Sequence, residues 1–183
     1  MLNVLKDTLK LHDFRSLELE FRIGFETKTG FHASVPKNLW THAKDKLGVG
    51  EEITTIDRYV TTRYGESSRH VQTPKNTFWE HKKKLASDIT PGKFAVRTSV
   101  ALETREDGKA PNSFVLQRTK HRSSFAKGPW RIDFTRVNTI PIKDDLEETF
   151  EIEVELYDVA YLFEKELHLV LDEGIALAQS IVN

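Results

Sequence analysis

The sequence predicts an α+β fold: an antiparallel eight-stranded β-barrel with a charged interior, flanked by N- and C-terminal helices. Three observations lead to about seven or eight antiparallel strands, in a sheet or a closed barrel, and the charged strand faces then favour the barrel. Apolar residues recur with a period of two over most of the 183 residues, turn residues interrupt those stretches at short intervals, and helical spacing appears chiefly near the two ends. The length fits one domain over residues 1–183, at roughly 100–200 residues per domain, and can bury a core without disulfide or metal staples.

From the N terminus, Leu2, Val4, Leu5 and Leu9 stand at helical spacing between Met1 and His12. Leu17 to Ile23 then alternates strictly, the pattern of a strand with one apolar face. A short helix is expected over Asn38 to Leu47, between Pro36 and Gly48. Thr54 to Arg63 and Arg69 to Leu85 alternate more weakly and read as one or two hairpins. Strict alternation returns in Phe94 to Glu103, Phe114 to Phe125, Trp130 to Val137 and Phe150 to Leu156. Thr29-Gly30, Gly65-Glu66, Pro91-Gly92, Asp107-Gly108 and Gly128-Pro129 supply turns. A last helix, capped by Asp158, would carry Ala160, Phe163, Leu167, Val170, Leu171 and Ile175 on one face.

Composition excludes several chemistries. The net charge is −1 with 30% charged residues, so contact with a polyanion must come from local basic clusters. The absence of cysteine removes disulfides, thiolate-bound zinc and a thiolate nucleophile, and fits an intracellular protein. No apolar run reaches the ~18 residues of a membrane span, and no signal-peptide pattern opens the chain. There is no GxxxxGK[ST] phosphate loop, no HExxH zinc motif and no serine in a nucleophile elbow. The seven histidines are scattered and read as surface or structural residues. Asp144, Asp145, Glu147 and Glu148 read as an exposed acidic loop, and Lys82 or Lys84 of the lysine triplet as the one that turns inward.

The charged strand faces carry the information. Residues i and i+2 share a face, so Glu18, Glu20 and Arg22 stand together, as do Glu151, Glu153 and Glu155. Arg118, Lys120 and Arg122 form a basic row, Arg131, Asp133 and Thr135 a mixed one, and Arg97, Ser99 and Glu103 share another face. An ordinary wet sheet face also carries charge, but like charges along and across strands repel. Segregation by strand, with glutamates at positions that strands disfavour, is explained if the faces point into a closed barrel. Crowded glutamates there call for a hard cation such as Mg²⁺ or Mn²⁺. The facing arginines and lysines call for a multiply charged anion, and a polyphosphate meets both needs.

With these residues in view, the chain resembles the triphosphate tunnel metalloenzymes, specifically the metal-dependent mRNA-capping RNA 5′-triphosphatases of the fungal, protozoan and large-DNA-virus type. The match runs from Leu17 to Leu156 and lies in the set: two ExE strands at the ends, with RxKxR and WRxDxT between them. The resemblance implies that Glu18, Glu20, Glu153 and Glu155 hold metal, with Glu151 as an accessory acid and Glu153 also aligning or deprotonating the attacking water. It implies that Lys120, Arg122 and Arg131 grip phosphate, Asp133 orients, Thr135 supports, and Glu103 braces the basic residues. Arg69 matches the remaining phosphate-binding arginine, in competition with Arg63. Arg22 departs from the ExExK signature of the branch containing thiamine triphosphatases and class IV adenylyl cyclases, and arginine and lysine bind phosphate differently.

The implied reaction is removal of the γ-phosphate from a 5′-triphosphate RNA end, the first step of mRNA capping, with nucleoside triphosphates as side substrates. Guanylyltransferase and methyltransferase domains or subunits are the implied partners, with no membrane. The implied location is the nucleus, or a cytoplasmic viral factory or virion. No guanylyltransferase KxDG motif is present, so the chain reads either as a stand-alone triphosphatase or as the N-terminal domain of a longer capping enzyme. Two alternatives stand beside this: hydrolysis of tripolyphosphate or thiamine triphosphate, or ATP cyclisation, on the same fold; and a non-enzymatic, polyanion-binding β-domain.

Overall fold

The computed structural model describes residues 1–60, 66–141 and 147–183. Helix α1 (Leu2–Leu11) and a 3₁₀ turn (Phe14–Ser16) lead into strand β1 (Leu17–Thr27), which forms a hairpin with β2 (Gly30–His32). Helix α2 (Lys37–Asp45) follows, then β3 (Glu51–Tyr59), β4 (Glu66–Gln72), β5 (Thr77–Thr90), β6 (Ala95–Glu106), β7 (Leu116–Lys127), β8 (Trp130–Pro141) and β9 (Glu147–Leu156). Helices α3 (Tyr161–Glu164) and α4 (Leu167–Ile181) end the chain.

The strand order is β2-β1-β6-β5-β4-β3-β7-β8-β9, all antiparallel, and β1 also pairs with β9. That last pairing closes eight strands into the predicted barrel, with β2 as an appendage. The seam is short: Glu20 faces Glu155, Phe21 faces Val154, Arg22 faces Glu153 and Ile23 faces Ile152.

Both sides of the closing strands are buried, and this explains their sequences. Leu17, Leu19, Phe21 and Ile23 point outward under α1 and α4, while Glu18, Glu20 and Arg22 point into the lumen. On β8 and β9, Ile132, Phe134, Ile152 and Val154 join the same outer core. Phe21 meets Trp130 edge-on with centroids 5.6 Å apart. Helix α4 crosses at Gly174, where any Cβ would overlap the Phe21 ring, so close helix–sheet contact requires glycine there. Helix α2 anchors through Trp40, which stacks against Phe134 and Phe150 and donates its indole N–H to the Glu151 carbonyl at 3.2 Å.

Three expectations need correction. The last helix is not one segment capped by Asp158. Lys165 is extended and separates α3 from α4, and Glu166 occupies the α4 N-cap without a side-chain hydrogen bond. The break lets the Lys165 ammonium reach the Glu173 carboxylate at 2.7 Å, and it leaves Phe163 exposed rather than in the core. Second, the β4–β5 hairpin expected over Arg69 to Leu85 runs further, from Glu66 to Thr90, and forms part of the barrel. Third, Glu147 and Glu148 belong to β9, paired with Thr139 and Asn138, because the β8–β9 hairpin extends beyond the alternating stretch. Asp144, Asp145, Arg63 and Gly65 lie outside the described residues.

Candidate active site

The lumen is a cavity of about 680 Å³. Its wall is built by taking every second residue from each strand, so period-two geometry alone decides which side chains meet. Strands β1 and β9 contribute Glu18, Glu20, Arg22, Glu153 and Glu155. Strands β7 and β8 contribute Lys120, Arg122 and Arg131, and β4 contributes Arg69. The four glutamates expected to hold metal therefore share one sector on neighbouring strands, and the expected phosphate-binding cations occupy the rest of the wall.

The sectors do not stand apart. Arg22 reaches from β1 to its neighbour Glu20, Nε to Oε1 at 3.2 Å, and across the seam to Glu153. Lys82 of β5 lies 2.5 Å from Glu18 and 3.7 Å from Glu20. Arg131 donates to Glu155 at 2.5 Å and to Asp133 at 3.0 Å. Asp133 is nearly inaccessible, at 1% exposure, and also accepts from the Ser124 hydroxyl at 2.7 Å. Arg122 lies 3.5 Å from Asp133 and donates to Thr135 at 3.4 Å, so Asp133 and Thr135 fix the basic groups of β7 and β8. Deeper in the barrel, Arg118 of β7 closes on Glu151 at 2.5 Å. Arg97 and Ser99 contribute no lining group: Ser99 is buried, and the Arg97 guanidinium covers the Phe31 ring at 4.8 Å.

A second network was not anticipated. Asp57 on β3 receives Lys120 at 2.6 Å and Arg69 at 3.1 Å. Glu80 on β5, 3% exposed, accepts from Arg69 Nε at 2.5 Å and from Arg105 Nε at 3.2 Å. Arg105 also bonds Glu103 at 3.1 Å, and Arg69 donates to the Tyr59 hydroxyl at 3.3 Å. Asp57 and Glu80 escaped notice because neither shares a row of acids at i±2 and both lie on weakly alternating strands. The register of β4 with β5, which places Arg69 opposite Glu80, was the signal that sequence alone could not supply.

Burial sets the electrostatic character. It pushes the Glu155 carboxyl up to about 7, Arg131 pulling it down and Glu18 pushing it further up. Glu18 is raised by burial and by Glu20 beside it, against the pull of Lys82. Burial also opposes the charge on Glu153, but Arg22, Arg122 and Lys120 outweigh it and hold that carboxyl at about 2. Glu103 is raised to about 8 by burial and by the Glu80 carboxylate. Asp57 and Glu80, despite burial, are held below the usual carboxylate range by Lys120 and Arg69 and by Arg69 and Arg105 respectively.

These residues fit a hard divalent cation. The donors on β1 and β9 are all carboxylate oxygens, and Glu18 and Glu155, raised first by burial and then by the carboxylates beside them, are groups whose charge a cation would favour. Arg22, Lys82 and Arg131 currently hold those carboxylates, and among the described residues no three acids or histidines converge in ligating geometry. Glu18, Glu20, Glu153 and Glu155 would thus have to trade ion pairs for metal.

Known proteins resemble this chain in sequence and in fold. A family model described as mRNA capping enzyme, beta chain, matches residues 81–168. The 5′RNA triphosphatase A449R of Paramecium bursaria Chlorella virus 1 is 54% identical over 182 residues, covering 97% of this chain and 94% of that protein. The S. pombe Pct1 RNA triphosphatase, solved in complex with the Spt5 CTD, superposes with a TM-score of 0.77 at 15% identity, covering 98% of this chain and 91% of that one. A second structure of Pct1 gives 0.73 at 17% identity, with 98% and 85% coverage. At these identities the two structures establish the shared fold.

Proposed function

Because this chain belongs to the RNA triphosphatase family of mRNA capping enzyme beta chains, we propose that its lumen hydrolyses the γ-phosphate of 5′-triphosphate RNA, leaving a 5′-diphosphate end and inorganic phosphate. The observation that carries this reading is the wall itself: the carboxylates of β1 and β9 share one cavity of about 680 Å³ with Lys120, Arg122, Arg131 and Arg69. Among the described residues no helix is long and apolar enough to cross a membrane.

Glu18, Glu20, Glu153 and Glu155 would hold Mg²⁺ or Mn²⁺, which supplies charge neutralisation at the γ-phosphate oxygens. Lys120, Arg122 and Arg131 bind the phosphate chain and stabilise charge that spreads over the transferred group, the main requirement of phosphoryl transfer. Arg69 approaches from β4, braced by Asp57 and Glu80. Asp133 and Thr135 keep the guanidinium groups of Arg131 and Arg122 aimed inward. Glu153, a buried carboxylate kept ionised by Arg22, Arg122 and Lys120, would orient the attacking water by accepting its hydrogen bond. Residues 1–183 act as one triphosphate-tunnel domain in this reading. The diphosphate product suits guanylyl transfer, which makes a guanylyltransferase, then a methyltransferase, the expected partners.

The test is phosphate release from γ-labelled RNA with Mg²⁺, Mn²⁺ or chelator. Metal-dependent release that leaves diphosphate ends, and is lost in Glu155→Ala, is the expected result. Release that survives chelation, or persists in that variant, would sink the mechanism.

A further inference from the structure

The cavity opens at the end of the barrel where β1 begins and β9 ends, with Arg15, Thr73, Phe78, Arg105 and Tyr157 at the rim. Among the described residues the large exposed aromatics are Phe14, Tyr157 and Phe163, and they gather at this end. Two of them engage each other: Phe14 and Phe163 meet edge-on at 5.4 Å. Phe78, across the rim, lies beneath the Arg105 guanidinium at 4.8 Å, and Arg105 is tied down by Glu80 and Glu103. Tyr157, 64% exposed, is the rim aromatic whose face remains free for a ligand.

A triphosphate gripped by Lys120, Arg122 and Arg131 leaves its nucleoside toward the mouth, since the ribose and base follow the α-phosphate, and the apolar side chains lining the cavity other than Phe78 and Tyr157 are aliphatic and offer no stacking face. We propose that Tyr157 is the stacking platform for the first nucleoside of the RNA, and that Arg15 receives the phosphodiester that follows it. This rests on the triphosphatase reading above. An aromatic face accepts any base, because every base has a π-face, and therefore gives affinity for RNA ends without sequence readout. Arg15 is suited to exchange partners. Its side chain is 79% exposed and is held by the Asp13 carboxylate through Nε at 3.0 Å and a terminal nitrogen at 2.7 Å, and because that pair is open to water, a phosphate that fits the same guanidinium fork can compete for it. The wall would thus read the triphosphate, and the rim would distinguish a nucleic-acid end from a bare polyphosphate.

The experiment compares steady-state hydrolysis of triphosphate-ended RNA and inorganic tripolyphosphate by wild type, Tyr157→Ala and Tyr157→Phe. The expected result is a KM for RNA about tenfold higher in Tyr157→Ala, in line with loss of one base–aromatic stack. Its kcat and its KM for tripolyphosphate stay at wild-type values, and Tyr157→Phe behaves as wild type on both. Arg15→Ala should likewise raise KM for RNA alone, with a shallower salt dependence of that KM. An unchanged KM for RNA in Tyr157→Ala, or an equal change on both substrates, overturns the platform while leaving the triphosphatase reading intact. Wild-type hydrolysis of tripolyphosphate without hydrolysis of RNA overturns both.

Discussion

The outside and the inside of this barrel are both buried and are built from the same strands, yet opposite forces hold them. Along β1, Leu19 and Phe21 lie in a close-packed apolar core beneath α4, while Glu20 and Arg22, their sequence neighbours, lie in a lumen of ion pairs. The outer face gains from every group it removes from water. The inner face gives up hydration and recovers it only in part, as the raised carboxyls of Glu18, Glu103 and Glu155 show. One side therefore provides stability and the other stores unsatisfied charge for a ligand.

The sharpest way to break this comparison is to change neighbours on β1. Glu20→Ala should lower kcat for phosphate release on the order of 10⁴-fold, about 5 kcal/mol of transition-state stabilisation, while its melting temperature stays at or above wild type. Glu20 has Arg22 and Lys82 beside it, and these cations keep Glu153 and Glu18. A parallel loss of stability would show that the ion pairs hold the fold. Phe21→Ala, one residue along, should do the reverse: about 3–5 kcal/mol of unfolding free energy by urea denaturation, with kcat per folded molecule near wild type.

Two smaller effects sharpen the contrast. Gly174→Ala forces a methyl group into the Phe21 ring and should cost about 1–3 kcal/mol in the same titration. Glu103→Gln probes the inner side. A carboxyl raised from 4.5 to about 8 in the folded protein contributes stability that is complete below about 4.5, falls as the pH rises between those two values and is gone above about 8. The wild type should therefore lose melting temperature between pH 5 and 9 more steeply than Glu103→Gln, whose neutral amide does not titrate; about 1 kcal/mol of difference at pH 9 is expected. Glu80 shares this proton, so the titration belongs to the pair. Parallel curves would place the Glu103 proton elsewhere.

The same contrast explains what the sequence disclosed. Where both faces of a strand are buried and chemically unlike, as in β1 and β9, alternation is strict, and the closed barrel with its acidic and basic rows could be read directly. Where the lumen side carries Ile53, Thr55 or Val71, the alternation fades, and the limits of β3, β4 and β5 were blurred. Lys82 stands in a run of three lysines, which hides the period, and only its pairing opposite Glu103 shows which lysine turns inward. Asp57 and Glu80 act through partners on other strands, a property of register rather than of local pattern. The break at Lys165 depends on its reach to Glu173, which helical spacing does not encode.

The β1–β9 seam has a consequence for how the molecule comes into being. Glu20 and Glu155 are register partners across that seam, although they sit near opposite ends of the chain. Pairing between such distant segments carries a large loop-closure cost and is slow to form. During synthesis, which proceeds from the N terminus, Glu18 and Glu20 emerge long before Glu153 and Glu155 exist to meet them. The carboxylate sector is thus completed only when the barrel closes on its final strand, and a nascent chain remains without a catalytic centre until that closure.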